Sequence, residues 1–178
     1  MDGFLFDSKV KVKGTASIGT DIYKLRLRDS VLTYNNEYVN IHRISSFNVS
    51  EYYQLSFEGF SRDIFCSLNQ TFMCKSVLIK DNNIVKIDDN YRFIPLKKFI
   101  NKITKDGEIK ITYVAVNKKV IKEKDYDKDI PLDDGDYLLF PYKEYKIVKE
   151  NTRLYCLGLS KEHNSYCVNG VIVGDDTF

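Results

Sequence analysis

The chain has 178 residues, 43% of them hydrophobic and 13% aromatic, which suits one domain with a buried core and excludes a disordered or fibrous chain. Its 27 Lys and Arg are interspersed with 25 Asp and Glu, so no basic stripe invites nucleic acid and no nucleic-acid partner is expected. No apolar run approaches the roughly 20 residues of a membrane span. The start, Met1-Asp2-Gly3-Phe4, lacks the basic and apolar regions of a signal peptide. A soluble, intracellular protein without a membrane partner is therefore expected.

In chain order, the dominant pattern is short runs of β-branched and aromatic residues, broken by Gly, Asn and Asp. Lys9-Val10-Lys11-Val12-Lys13 alternates with period two, as a half-buried strand does, and stops at Gly14. Val31–Tyr34 and Glu37–Ile41 flank Asn35-Asn36, and Tyr52–Phe57 and Asp63–Cys66 flank Glu58-Gly59; both read as hairpins, because Asn and Gly tolerate the positive φ of tight turns. Further strands are expected at Ser76–Ile79, Ile84–Ile87, Ile109–Val116, Tyr137–Phe140, Glu144–Val148, Leu154–Leu159, Ser165–Val168 and Val171–Val173. Asn169-Gly170 between the last two is a two-residue hairpin signal. Pro95–Ile103 predicts one short helix, with Pro in its first turn and an apolar face of Leu96, Phe99, Ile100 and Ile103. The charged stretch Lys118–Asp129 reads as a solvated loop or edge hairpin. The fold class expected is all-β with little helix, a single domain over residues 1–178.

Four cysteines (Cys66, Cys74, Cys156 and Cys167) form no CxxC pair, and His42 and His163 are the imidazoles available. They read as free thiols that fill strands, with no metal and no cofactor. The phosphate-binding glycine motifs, H-E-x-x-H and G-x-S-x-G are absent.

Five segments taken together resemble the motifs of the Hint (hedgehog/intein) superfamily, in the family's order and over nearly the whole chain. Gly3-Phe4-Leu5-Phe6-Asp7-Ser8-Lys9-Val10 is similar to the opening motif, and Arg28-Asp29-Ser30-Val31-Leu32-Thr33 to the G-D-x-V-L-T element. Ile64–Phe72 resembles the internal T-x-x-H-x-F motif, and Asp134-Gly135-Asp136-Tyr137-Leu138 the later G-D-Y-L element. Arg153–Leu159 and His163–Val173 resemble the closing V-Y-D-L-x-V and H-N-x-F-x-x-N-G-x-x-V-H-N segments. The resemblance implies a compact mini-intein-like Hint fold without an endonuclease insertion.

It also implies where splicing chemistry would sit. Splicing begins with a thiol or hydroxyl attacking the preceding carbonyl, and the matching position is Gly3, which has no side chain. The internal motif supplies an imidazole as general acid; Gln70 stands there, while Ser67 keeps the hydroxyl of the motif's Thr. The closing His-Asn pair, which cyclises the terminal Asn, matches Gly174 and Asp175, and the nucleophile beyond it matches Asp176. His163 survives. Cys156 falls where the family has Asp, a position that serves as nucleophile in a branch of inteins lacking the N-terminal one. That branch also has a Trp in the internal motif and a Thr after the terminal Asn; here there is no Trp, and Thr177 sits one place late.

No catalytic set is therefore intact, and Gly3, Ser67, Gln70, Cys156, His163, Gly174 and Asp175 are read as vestigial positions that a Hint fold would gather at one cleft. The expectation is a degenerate, non-splicing domain with a structural or protein-interaction role and protein partners, in a viral or phage assembly. Two alternatives stay open: an autoprocessing domain, either using Cys156 or being an inactivated variant, and a small β-rich binding module of another fold.

Overall fold

The computed structural model describes residues 2–15, 18–160 and 164–178. The strands are β1 (Phe4–Leu5), β2 (Lys9–Val10), β3 (Thr20–Asp21), β4 (Ser30–Leu32), β5 (Tyr38–Phe57), β6 (Phe60–Cys66), β7 (Thr71–Lys80) and β8 (Asn83–Ile87). They continue with β9 (Arg92–Pro95), β10 (Asn101–Ile103), β11 (Ile109–Asn117), β12 (Leu132–Asp134), β13 (Tyr137–Leu159), β14 (Ser165–Val168) and β15 (Val171–Gly174). Among the described residues all pairings are antiparallel and join into one 15-stranded sheet. The all-β expectation holds, and the helical content is confined to short 3-10 turns. No helix of the described residues is long and apolar enough to cross a membrane.

Two long strands organise the sheet. The sequence suggests three separate strands between Tyr137 and Leu159, but β13 runs continuously and pairs with β5 from Tyr142↔Phe57 to Leu159↔Ile41. Register shifts at Tyr142/Glu144, Lys149/Thr152 and Gly158/Leu159 explain the discrepancy. Each bulge breaks the alternation that marks a strand in sequence while letting the strand bend and continue. The start of β13 pairs with β11 and its later part with β1, so one strand serves two regions of the sheet.

The central strands β7, β11, β14 and β15 are buried on both faces. Phe72, Cys74, Val114, Val168 and Val173 enter the main core with Phe4, Phe140 and Tyr166. Their neighbours Met73, Tyr113, Ala115, Cys167 and Ile172 enter a second core on the opposite side. This accounts for the near-continuous apolar runs in β11 and β15, since a strand covered twice needs no polar face. The closing hairpin forms as expected: Asn169 (φ 52) and Gly170 (φ 88) both lie in the left-handed region, the geometry of a type I′ turn. A Cβ on Gly170 would sit 2.5 Å from Ile121.

Two expectations need correction. Pro95–Ile103 is not a helix: a single 3-10 turn at Leu96–Lys98 is followed by β10. Phe99 is already extended, and the Thr112 N–H donates to the Ile100 carbonyl while Ile100 N–H donates to Thr112 Oγ1. Pairing with β11 thus claims the backbone that a helix would have used, a tertiary override of local propensity. Lys118–Asp129 is not simply solvated either. Val120 and Asp125 are buried, Arg62 pairs with Asp125 at 3.2 Å, and the Asp127 N–H donates to the Gly59 carbonyl, so the loop is docked onto β6.

Candidate functional site

The opening strand is wedged between two others. Phe4 pairs with Tyr155 on one side and Cys66 on the other, which places Gly3 next to the turn after β6. The Gly3 carbonyl accepts the Ser67 N–H at 3.1 Å, and the turn closes with Gln70 N–H donating to the Ser67 carbonyl at 3.3 Å. From this turn Gln70, fully buried, reaches across to the closing strand. Its Nε2 donates to the carbonyls of Thr71 (3.1 Å) and Gly174 (3.0 Å).

Asp175 follows Gly174 and is also fully buried. Its carboxylate accepts the Leu159 N–H, the Thr177 N–H and the Thr177 hydroxyl, and its own N–H donates to the Asn164 carbonyl. Asp176 forms a two-point fork with Arg43 (2.6 and 3.1 Å). Cys156 lies on β13 opposite Ser45 of β5 and lines a cavity of about 380 Å³ with Asp2, Phe47, Asp176 and Phe178. Gly3, Ser67, Gln70, Gly174 and Asp175 are thus joined by a chain of hydrogen bonds and adjacency, with Cys156 beside Asp176. His163 lies outside the described residues.

The chemistry of the centre is restrictive. Burial pushes the Cys156 thiol far up, and the neighbouring Asp2, Asp176 and Asp175 add to it, so the sulfur stays protonated and is a poor nucleophile at neutral pH. Cys66, Cys74 and Cys167 are buried within the cores. The two glycines are also crowded. A Cβ on Gly3 would lie 3.0 Å from Leu154 Cβ and 3.2 Å from the Phe47 ring. On Gly174 it would lie 2.2 Å from Thr71 Oγ1 and 2.6 Å from the Phe178 ring. Ser67 Oγ, Gln70 Oε1 and Thr71 Oγ1 are buried without a hydrogen-bond partner. The centre is polar.

Sequence reasoning missed Asp2, Arg43, Thr71 and Phe178 here. Only Thr177 had a local signal, since Asp-x-Thr is the spacing of an Asx turn. Asp2 lines the same cavity: burial raises its pKa to about 6, with Asp176 and Asp175 adding to the shift. Because the folded value exceeds the unfolded value of about 3.9, ionised Asp2 disfavours the fold. That penalty is fully present above pH 6, recedes as pH falls through the folded value, and is gone near pH 4. Asp2→Asn is therefore expected to raise the melting temperature at neutral pH and to match the parent near pH 4. A pH series of thermal melts checks this, and a constant offset at every pH would contradict it.

No family profile and no curated protein matches the chain. Solved structures do. A DnaB intein from Synechocystis sp. PCC 6803 superposes with a TM-score of 0.67 at 14% identity, covering 99% of both chains. A bacterial intein-like domain from Clostridium thermocellum gives 0.60 at 14% identity, covering 98% of this chain and 99% of that one. A splice-inactive variant of the AceL NrdHF class 3 split intein gives 0.58 at 17% identity, covering 98% of each. With likeness of this extent along the whole length, the chain has the Hint fold, the architecture of the mini-inteins and intein-like domains.

Proposed function

We propose that this chain is a non-splicing Hint domain that serves as a folded protein-binding module. The observation that carries the reading is the packing around Gly174. An intein inactivated by a recent substitution would keep the space of the lost imidazole. Here Thr71 Oγ1 and the Phe178 ring stand within 2.2 and 2.6 Å of where even a Cβ would begin. Gln70 supports the same reading, because its amide bridges two main-chain carbonyls in place of an exchangeable proton. The autoprocessing alternative rests on Cys156 lining the cavity beside Asp176, and the protonated state of that thiol weighs against it.

Fusing a folded protein to each end and following intact mass over time tests the reading. The fusion is expected to stay whole, with or without added thiol. Cleavage or ligation that Cys156→Ala abolishes would sink it in favour of autoprocessing.

A further inference from the structure

Away from the vestigial centre, the segment from β9 to β10 crosses one face of β7 and β11 and encloses a cleft of about 340 Å³. Apolar Ile94 and Pro95 and three cations, Arg92, Lys98 and Lys110, are among the residues that line it. The positive charge continues beyond the cleft. Lys110 is in register with Lys102 of β10 on one side and with Leu78 of β7 on the other, and Leu78 is in register with Lys86 of β8. Residues in register share a face of the sheet, on strands about 4.8 Å apart, so Lys86, Lys110 and Lys102 form one row. Like charges directly opposite each other cost stability. Even so, Lys86, Lys98, Lys102 and Lys110 form no ion pair among the described residues. The nearby Asp88 is engaged by the Ser76 N–H at 2.9 Å and by Arg92 at 3.8 Å.

The edges beside this row are open. Among the described residues β8 and β9 pair only with β7, which leaves their outer main-chain groups available to an added strand. A strand laid against β8 would meet Lys86 on one face. On the other it would meet Ile84 and Ile87, which are 44% and 38% exposed. Nucleic acid would need open rings on which to stack bases, and the rings here are taken. Phe93 is stacked on Phe178 at 4.3 Å, and Tyr91 lies under the Lys75 ammonium while its hydroxyl donates to Asp134.

We propose that this cleft and edge bind an extended peptide segment of a partner protein in which acidic and apolar residues alternate. Its carboxylates meet Arg92, Lys98 and Lys110, and an apolar side chain seats on Ile94 and Pro95. The assignment deepens the protein-binding reading above and rests on it.

The test uses the full chain and a fluorescein-labelled peptide of alternating Glu and Val, followed by anisotropy, with a Lys/Val peptide and an oligothymidylate as rival probes. Saturable binding of the Glu/Val peptide is expected, weakening as salt is raised. Lys98→Glu with Lys110→Glu is expected to weaken it about tenfold or more, and the milder Lys98→Gln with Lys110→Gln to weaken it less. Lys124→Glu, outside the cleft, is expected to leave it unchanged. Tighter binding of oligothymidylate, equal binding of the Lys/Val peptide, no binding, or indifference to both double variants would each overturn the assignment. A fusion that stays intact while the peptide fails to bind would remove the cleft proposal and leave the non-splicing reading standing.

Discussion

Gly174→His is expected to destabilise the protein by about 3 kcal/mol, the upper end of the usual cost of overpacking, and to restore no splicing. The substitution installs the residue that the closing motif of the resemblance would have. Its Cβ would be 2.2 Å from Thr71 Oγ1 and 2.6 Å from the Phe178 ring. The ring can swing, though at the loss of its stack on Phe93. Thr71 keeps its place on the strand through pairing with Pro95, so its hydroxyl, which has no hydrogen-bond partner, must turn away. Denaturant midpoints for the parent and the variant give the difference directly. An undiminished midpoint would mean that the closing strand still has room for an imidazole, which would weaken the proposed function at its main support. Adding Gly3→Cys and Gln70→His to the same chain is expected to deepen the loss, since Gly3 is confined by Leu154 and Phe47.

Phe140→Ala is expected to cost about 3–5 kcal/mol, as for other large-to-small changes in a packed core. Phe140 is fully buried on β13 and in register with Val114. Its ring lies 4.9 Å from that of Phe60 and 5.8 Å from that of Tyr126. Truncation therefore opens a cavity and also removes the aromatic contact that helps dock the loop after β11. Hydrogen exchange should reveal both effects: a global drop in protection and an additional local loss at Asp125 and Asp127, whose amides are held by Lys122 and Gly59. A loss confined to global unfolding would show that the polar contacts of Asp125 and Asp127 with β6 and its turn hold the loop without the ring contact.

Much of the fold was legible because its signals are local. Asn169-Gly170 specifies a turn whatever surrounds it, since few residues accept two successive positive φ values. Val10 and Val12 alternate with lysines because one face of that segment is buried. The Pro95–Ile103 segment misled for the complementary reason. Its apolar spacing suits a helix, but the pairing partner that draws it into β10 lies in β11 and has no trace in the local pattern. The long strands β5 and β13 were fragmented in the sequence by bulges that only pairing geometry bridges.

The sequence by itself determined which chemical groups are present: no side chain at position 3 or 174, an amide at Gln70, and acids at Asp175 and Asp176. The tertiary structure decided what surrounds them, namely that Gly174 is crowded by Thr71 and Phe178, that Cys156 is buried and that Asp175 is held by the Leu159 and Thr177 donors. It also decided the electrostatics. Along the chain the cations are interspersed with acids, yet antiparallel pairing brings Lys86, Lys110 and Lys102 into one row. The physical reason is the same in each case. Composition fixes what a group can do, whereas burial, packing and charge proximity depend on residues distant in sequence that only the folded sheet brings within a few ångströms.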